Sequence, residues 1–134
     1  MRDRVMRLER VAARDIRVNP KNWRMHNEGQ RAAMRGILAE VGIAGALIVR
    51  EHPSGGYELI DGELRRDLIG EDQVPVLVLN VDDSEADKLL MMADRIGAMA
   101  GVKPEKLQAL VASVVSEDAA LRRELERALS LIHI

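Results

Sequence analysis

The chain has 134 residues, of which 47% are apolar, and it carries a net charge of −2 with no cysteine, no phenylalanine, one tryptophan and one tyrosine. This length suits a single domain with an aliphatic core, and the missing cysteines exclude disulfides, thiolate metal sites and cysteine nucleophiles. The scarcity of aromatic residues excludes a base-stacking sheet, and without an apolar run near 20 residues or a signal-peptide core we expect a cytoplasmic protein with no membrane partner.

Apolar periodicity and turn residues predict the elements of the fold. In chain order these are one or two strands over 5–18, a helix over 28–41, a hairpin of strands over 45–52 and 57–61, a short helix over 62–70, a strand over 74–81, and helices over 84–100, 104–115 and 118–129. Asn27 is placed to cap the first helix and Gly42 to end it in a left-handed conformation. Ser84 is predicted to cap the helix over 84–100. The strand over 74–81 is almost entirely apolar, which predicts burial on both of its faces.

This order of elements predicts the fold class and the domain limits. We expect an α+β domain with a small mixed sheet and packed helices over residues 1–83, followed by a helical C-terminal extension over 84–130. Residues 131–134 are apolar and follow a charged helix without a cap. We interpret 131–134 as a non-native tail at a truncated reading frame and assign His133 no role.

Charge is distributed unevenly along the chain. Residues 1–35 contain ten Lys/Arg and four Asp/Glu, a net charge of +6, whereas residues 71–134 contain seven and twelve, a net charge of −5. A basic front and an acidic back favour a polyanionic partner on one side of the protein. Two ordinary solvated surfaces are the alternative interpretation.

The stretch "DGELRRD" crowds charges around a glycine where a strand changes into a helix. At Gly62 the start of a helix offers amide N–H groups without helical partners, and the missing Cβ lets an anion come close. Arg65 lies three residues later on the same helix face, and its forked donors match phosphate oxygens. The pattern indicates a pocket for a phosphate or a carboxylate, with a turn glycine beside solvated charges as the alternative.

Four stretches in a fixed order carry a resemblance to a known family. They are "IRVNPKNWRMH", "GILAEVGIAGALIVRE", "YELIDGELRRDLI" and "VPVLVLNV". Over about residues 8–82 this order resembles the ParB/sulfiredoxin-like domain, which shows an Asn-Pro start, a helix ending in glycine, a "G-E-R-R" turn and a "V-P-V" strand. The version found beside DNA-modification methyltransferases and in phage-like elements is the most similar.

The resemblance implies a nucleotide as cofactor. In ParB-type members the "G-E-R-R" turn binds the phosphates of a nucleotide, which is CTP with magnesium in the partition proteins. Carried over by position, Gly62, Glu63 and Arg65 would bind a nucleoside triphosphate, CTP or ATP, with Mg²⁺. Arg66 would partly compensate for the first motif arginine, whose position holds leucine here, and Arg24 would add a second phosphate contact from the loop before the first long helix.

The same resemblance suggests chemistry at this turn. Asp61 and Glu63 are the implied metal ligands, and Glu63 is the implied catalytic residue that activates water for slow nucleotide hydrolysis. Two-metal nucleases need several converging carboxylates, and no further ligand accompanies these two, so nuclease activity is not expected. Sulfiredoxin members use "G-C-H-R", and Glu63 in the cysteine position excludes their chemistry.

The resemblance also implies partners. The predicted function is DNA modification, partition or mobile-element maintenance, with DNA bound by Arg14, Arg17, Lys21 and Arg24 of the basic front. A DNA methyltransferase and a second copy of the chain, forming a homodimer, are further predicted partners. The acidic C-terminal helices lack a basic recognition helix, so base readout there is not expected. The alternative function is a non-catalytic adaptor that binds DNA and a methyltransferase.

Overall fold

The computed structural model describes residues 1–130, apart from the side chain of Ala93. The predicted non-native tail at 131–134, with His133, lies outside the described residues. In chain order the elements are β1 (Val5–Ala12), a 3-10 turn (Ala13–Asp15), α1 (Glu28–Glu40), β2 (Leu47–Glu51), β3 (Tyr57–Asp61), α2 (Glu63–Ile69), β4 (Gln73–Leu79), α3 (Asp83–Ala98), α4 (Pro104–Ser113) and α5 (Ala119–Ser130).

The four strands form one mixed sheet in the order β1-β4-β2-β3. β1 runs antiparallel to β4, β4 runs parallel to β2, and β2 and β3 form the predicted antiparallel hairpin. The parallel pair requires a crossover, which the hairpin strand β3 and α2 supply between β2 and β4. The predicted α+β class with a mixed sheet and packed helices is therefore confirmed.

The core lies on one face of the sheet. Its buried members come from β2, β3, β4 and the 3-10 turn region: Ala13, Ile16, Leu47, Val49, Leu59, Val74, Val76 and Val78. On β4 only alternate residues are fully buried, and Leu77 and Leu79 on the opposite face are half-buried. The prediction that this strand is buried on both faces is wrong, since Leu8 on β1, which pairs with Leu77, is itself 56% exposed and the face that they share is open to solvent.

Local capping explains where the helices begin. Asn27 accepts a hydrogen bond from the amide of Gln30, whose side chain accepts one from the amide of Asn27, so the predicted cap is confirmed. α3 begins one residue earlier than predicted. Asp82 and Glu85 form the same reciprocal pair, and Ser84 therefore lies inside the helix instead of capping it. Asp82 is the capping residue because its carboxylate accepts a hydrogen bond from the Glu85 amide at 2.8 Å.

The C-terminal helices pack back onto the first part of the chain. α3 contacts β3, with Ala86 and Leu90 buried, and α5 contacts α1 and α4. Within residues 1–130, none of the helices has the length and apolar character needed to cross a bilayer. The start of α3 at Asp83 falls at the predicted end of the first domain, and the limits of the domains stay a prediction.

The folded chain brings its basic front against its acidic back. Arg4 pairs with Glu85, Arg14 with Glu71, Lys21 with Asp87 and Arg24 with Asp94. Each pair joins a residue before position 25 to one after position 70. These four pairs cancel part of the charge asymmetry of the sequence within the molecule.

Candidate functional site

A cavity of about 520 Å³ lies where the end of β3, the start of α2 and the loop before α1 meet the helices α1, α3 and α5. One part of its wall is polar and contains Asn19, Asn22, Arg24, Asp61, Gly62, Glu63, Arg65 and Asp94. The part formed by α1 and α5 is mainly apolar and includes Ala33, Met34, Ile37 and Leu121. The cavity is therefore lined by both charged groups and aliphatic side chains.

Gly62 stands at the turn between β3 and α2 in the left-handed region, with φ of +112°. A Cβ at this position would lie 2.5 Å from Cδ2 of Leu47, a residue of the buried core. Both the backbone angle and this contact require glycine. The sequence predicted the glycine as a place for close approach of an anion, and the structure adds a packing reason that is independent of any ligand.

Arg65 lies directly beside this glycine. Its Nη2 is 3.4 Å, and its Nη1 3.0 Å, from the positions that a Cβ would take on Gly62 and Gly45, respectively. Within the described part of the chain Arg65 forms neither an ion pair nor a side-chain hydrogen bond. Because α2 has only seven residues, its dipole is weak, and the guanidinium of Arg65 is the main positive charge at this turn.

Arg24 reaches the same cavity from the loop before α1. It forms an ion pair with Asp94 on α3, and its Nη1 lies 3.7 Å from the carboxylate of Asp61. Its Nε is buried and, within residues 1–130, has no hydrogen-bond partner. The guanidinium also lies 5.8 Å from the centre of the Trp23 ring. Arg24 is thus held in place by carboxylates and still has a donor to offer.

The two predicted metal ligands both line the cavity. Asp61 faces Arg24, and Glu63 accepts a hydrogen bond from the side-chain amide of Asn22. Within residues 1–130 no group of three or more metal-binding side chains converges. This fits Mg²⁺, which is usually held by one or two carboxylates together with substrate phosphates and water, and does not fit a metal bound by the protein alone.

The charge of the cavity leads to the same conclusion. Two guanidinium groups, those of Arg24 and Arg65, face four carboxylates, those of Asp61, Glu63, Asp94 and Glu124. A polyanion entering this site meets an excess of negative charge. A divalent cation bound together with the polyanion would reduce that excess.

Arg66 does not line the cavity. Its guanidinium donates to the backbone carbonyls of Ile16 and Arg14 at 3.0 and 3.1 Å and pairs with Asp67 at 2.9 Å. These bonds tie α2 to the turn after β1. The position of Arg66 therefore offers no contact with a ligand at Gly62.

The four side chains predicted to contact DNA each have a different environment in the folded protein. Arg14 pairs with Glu71 at 2.7 Å, Lys21 pairs with Asp87 at 3.0 Å, and Arg24 lies in the cavity. Arg17 donates to the carbonyl of Gly55 at 3.3 Å. Phosphate contacts by Arg14 or Lys21 would have to replace existing ion pairs.

Several residues of the cavity were not predicted. Asn22, Asp94, Leu121 and Glu124 all line it. The sequence does place Leu121 and Glu124 three residues apart on one helix face, but nothing in that spacing shows which part of the fold α5 packs against.

Comparison with known proteins gives information on the fold. No family model matches the sequence, and no curated protein matches it either. Similar solved structures include the C-terminally truncated chromosome-partitioning protein ParB from Caulobacter crescentus complexed with CTP-gamma-S. It has 18% identity and a TM-score of 0.69, and the match covers 95% of this chain and 79% of that chain. The same truncated protein complexed to the centromeric parS site has 18% identity and a TM-score of 0.52. That match covers 93% of this chain and 68% of that chain. A Pnob8-like ParB-N domain has 17% identity and a TM-score of 0.54, and the match covers 98% of this chain and 63% of that chain.

The chain therefore has the fold of the ParB N-terminal domain. The resemblance expected from the four sequence stretches is confirmed at this level. The predicted association with DNA methyltransferases and phage-like elements stays a prediction.

Proposed function

We propose that the cavity binds a nucleoside triphosphate with Mg²⁺, and that the chain is a ParB-like nucleotide-binding domain acting in DNA partition, DNA modification or mobile-element maintenance. The observation that carries the proposal is the position of Arg65, whose guanidinium lies beside Gly62 at the cavity wall with no partner among the described residues. An unpaired, forked cation in a concave site is suited to phosphate oxygens.

The dimensions of the cavity suit a nucleotide. Its volume of about 520 Å³ falls within the range usual for small-molecule sites. The lining offers Arg65 and Arg24 to phosphates, and it offers the aliphatic side chains of Met34 and Ile37 to a nucleoside. An inorganic anion alone would use only the charged groups.

Mg²⁺ enters the proposal through the carboxylates. Asp61 and Glu63 are the residues that would hold it, together with phosphate oxygens and water. When bound, the ion supplies charge neutralisation and orientation of the phosphates. Glu63, oriented by the Asn22 amide, is the proposed group that positions a water for slow hydrolysis.

The solved ParB complex with CTP-gamma-S supports a nucleotide as the ligand of this fold. The choice between CTP and ATP is open, because Leu64 replaces the first arginine of the motif and Asp67 replaces a later basic residue. The test is isothermal titration against the four nucleoside triphosphates, each with and without Mg²⁺. Binding of at least one triphosphate that depends on Mg²⁺ supports the proposal, and no binding of any of the four overturns it.

A second candidate function is the adaptor that binds DNA and a methyltransferase without catalysis. It is favoured by the solved ParB complex with the parS site and by the exposed side chains of Met91, Met92 and Met99 on and after α3, which suit an adaptable protein interface. A second copy of the chain is the other partner proposed for this surface. Nucleotide affinity and DNA affinity are measured separately, so each of the two candidate functions is tested by its own experiment.

A further inference from the structure

The C-terminal helix α5 is a wall of the cavity. Leu121 and Glu124 line it, and α5 packs against α1, whose aliphatic residues line it too. Both side chains are half-buried, and Ala120 beside them is buried. α5 thus belongs to the site although it lies about 60 residues after the turn at Gly62.

The position of α5 depends on one close contact with α1. Gly36 is buried in the middle of α1, and a Cβ there would lie 2.6 Å from Oδ1 and 2.7 Å from Cγ of Asp118. The Asp118 carboxylate is not free to move, because Oδ1 accepts the amide of Leu121 at 3.0 Å in the first turn of α5. Any side chain at Gly36 would therefore push the start of α5 away from α1.

Glu40, one helical turn after Gly36, completes this contact. Its Oε1 accepts hydrogen bonds from the Ser116 hydroxyl at 2.6 Å and from the Asp118 amide at 3.1 Å. These groups lie outside the cavity, so the attachment of α5 is separate from the residues that face a ligand.

We propose that α5 forms the nucleoside side of the nucleotide site, with Leu121 in contact with the nucleoside and the Gly36–Asp118 contact holding the helix in place. The inference rests on the proposed function, since it assigns a part of the lining of the same cavity. It makes Leu121 a determinant of affinity for nucleosides and Gly36 a positioning residue. The phosphates are left to Arg65.

The test compares two ligands that differ only in the nucleoside: the nucleoside triphosphate that binds the wild type best and inorganic tripolyphosphate, both with Mg²⁺. Gly36→Ala is expected to weaken nucleoside triphosphate binding about tenfold, the loss expected for one buried leucine contact. Tripolyphosphate should bind no more weakly than to the wild type, because moving α5 also moves the carboxylate of Glu124 away from the polyanion. The matched control is Gly97→Ala on α3, where a Cβ meets no atom within 4 Å. It should bind both ligands as the wild type does.

Two further variants distinguish a local loss of nucleoside contact from a general folding defect of Gly36→Ala. Leu121→Ala removes the contact without moving α5 and should also weaken only the nucleoside triphosphate. Gly36→Ala combined with Asp118→Gly removes the clashing carboxylate while keeping an acceptable capping residue, and it should restore most of the lost affinity. Circular dichroism reports that each variant is folded.

The results separate this inference from the proposed function. If no nucleotide binds the wild type, the proposed function fails. If nucleotide binds and depends on Arg65, but Gly36→Ala and Leu121→Ala bind it as tightly as the wild type, only the role of α5 is overturned. An equal loss for both ligands in Gly36→Ala and Leu121→Ala also overturns it, because the effect would then not be confined to the nucleoside.

Discussion

Arg24, on the loop before α1, forms an ion pair with Asp94 on α3, and the same guanidinium lies 3.7 Å from Asp61 at the end of β3. This relationship joins three elements across the cavity. It also occupies a cation that a phosphate would otherwise attract. The carboxylates of the site therefore both hold Arg24 in place and compete with an anionic ligand for it.

Asp94→Asn is expected to strengthen nucleoside triphosphate binding at low Mg²⁺. Removing one carboxylate lowers the negative charge of the cavity and releases Arg24 toward phosphate. Because Asp94 is half-exposed, we expect only about a fivefold gain, equivalent to about 1 kcal/mol. Titration at several Mg²⁺ concentrations measures it, with Asp83→Asn as a control outside the cavity. A loss of affinity would instead make Asp94 a ligand of the metal.

Gly62→Ala is expected to destabilise the fold by about 1–3 kcal/mol. The cause is the φ of +112° together with a Cβ placed 2.5 Å from Leu47. Urea denaturation measures the free energy of unfolding. Gly101→Ala, where a Cβ meets no atom within 4 Å, is the control and should unfold as the wild type does. Equal stability of the two variants would show that the turn tolerates a side chain.

Acid is expected to weaken the contact between Arg4, just before β1, and α3. Arg4 donates two hydrogen bonds to Glu85, at 2.5 and 2.7 Å, and holds the pKa of that carboxyl at about 2, below its ordinary value of 4.5. A lowered pKa in the folded state means that the pair stabilises the protein above pH 4.5 and that this stabilisation is lost as the pH falls toward 2.

The variant Glu85→Gln removes the charge and keeps the acceptor that caps α3. It should therefore unfold more readily than the wild type at pH 7, and the difference should vanish near pH 2. Thermal unfolding across this pH range measures it. A difference that is the same at every pH would show that the charge of Glu85 contributes nothing.

DNA binding by the basic front is expected to be weak and strongly dependent on salt. Two of the predicted contacts, Arg14 and Lys21, are already paired with carboxylates, so phosphates must displace those partners. Replacing Arg14, Arg17 and Lys21 by alanine should reduce both the affinity and the slope of its logarithm against that of salt concentration. Fluorescence anisotropy with duplex DNA measures both. An unchanged slope would place any DNA contact elsewhere on the protein.

Much of the fold follows from local sequence. The hairpin turn between β2 and β3, the cap at Asn27 and the apolar run of β4 each depend on neighbouring residues, and each was predicted. The cap of α3 was misplaced because Asp82 and Ser84 are both good capping residues, and only the reciprocal bond with Glu85 decides between them. The solvent-exposed face of β4 is not predicted, because it becomes visible only when β4 is paired with β1, which is distant in the sequence and has the exposed Leu8 beside Leu77.

The site divides in the same way. The proximity of Gly62 and Arg65 follows from helical spacing and was predicted. The contributions of Asp94 and α5 depend on how distant helices pack, which no local pattern encodes. Charge counts along the chain likewise indicate a basic front, whereas the fold pairs three residues of that front with carboxylates of α3 in the same molecule.

The role of Arg65 in nucleotide binding is tested by the affinity of a nucleoside triphosphate with Mg²⁺ for the wild type, Arg65→Ala and Arg10→Ala. Arg10 is exposed on β1 and away from the cavity, so its variant removes the same charge without touching the site. We predict that Arg65→Ala lowers the affinity at least tenfold and that Arg10→Ala leaves it unchanged. Equal affinity in all three proteins, or equal losses in the two variants, would contradict the account.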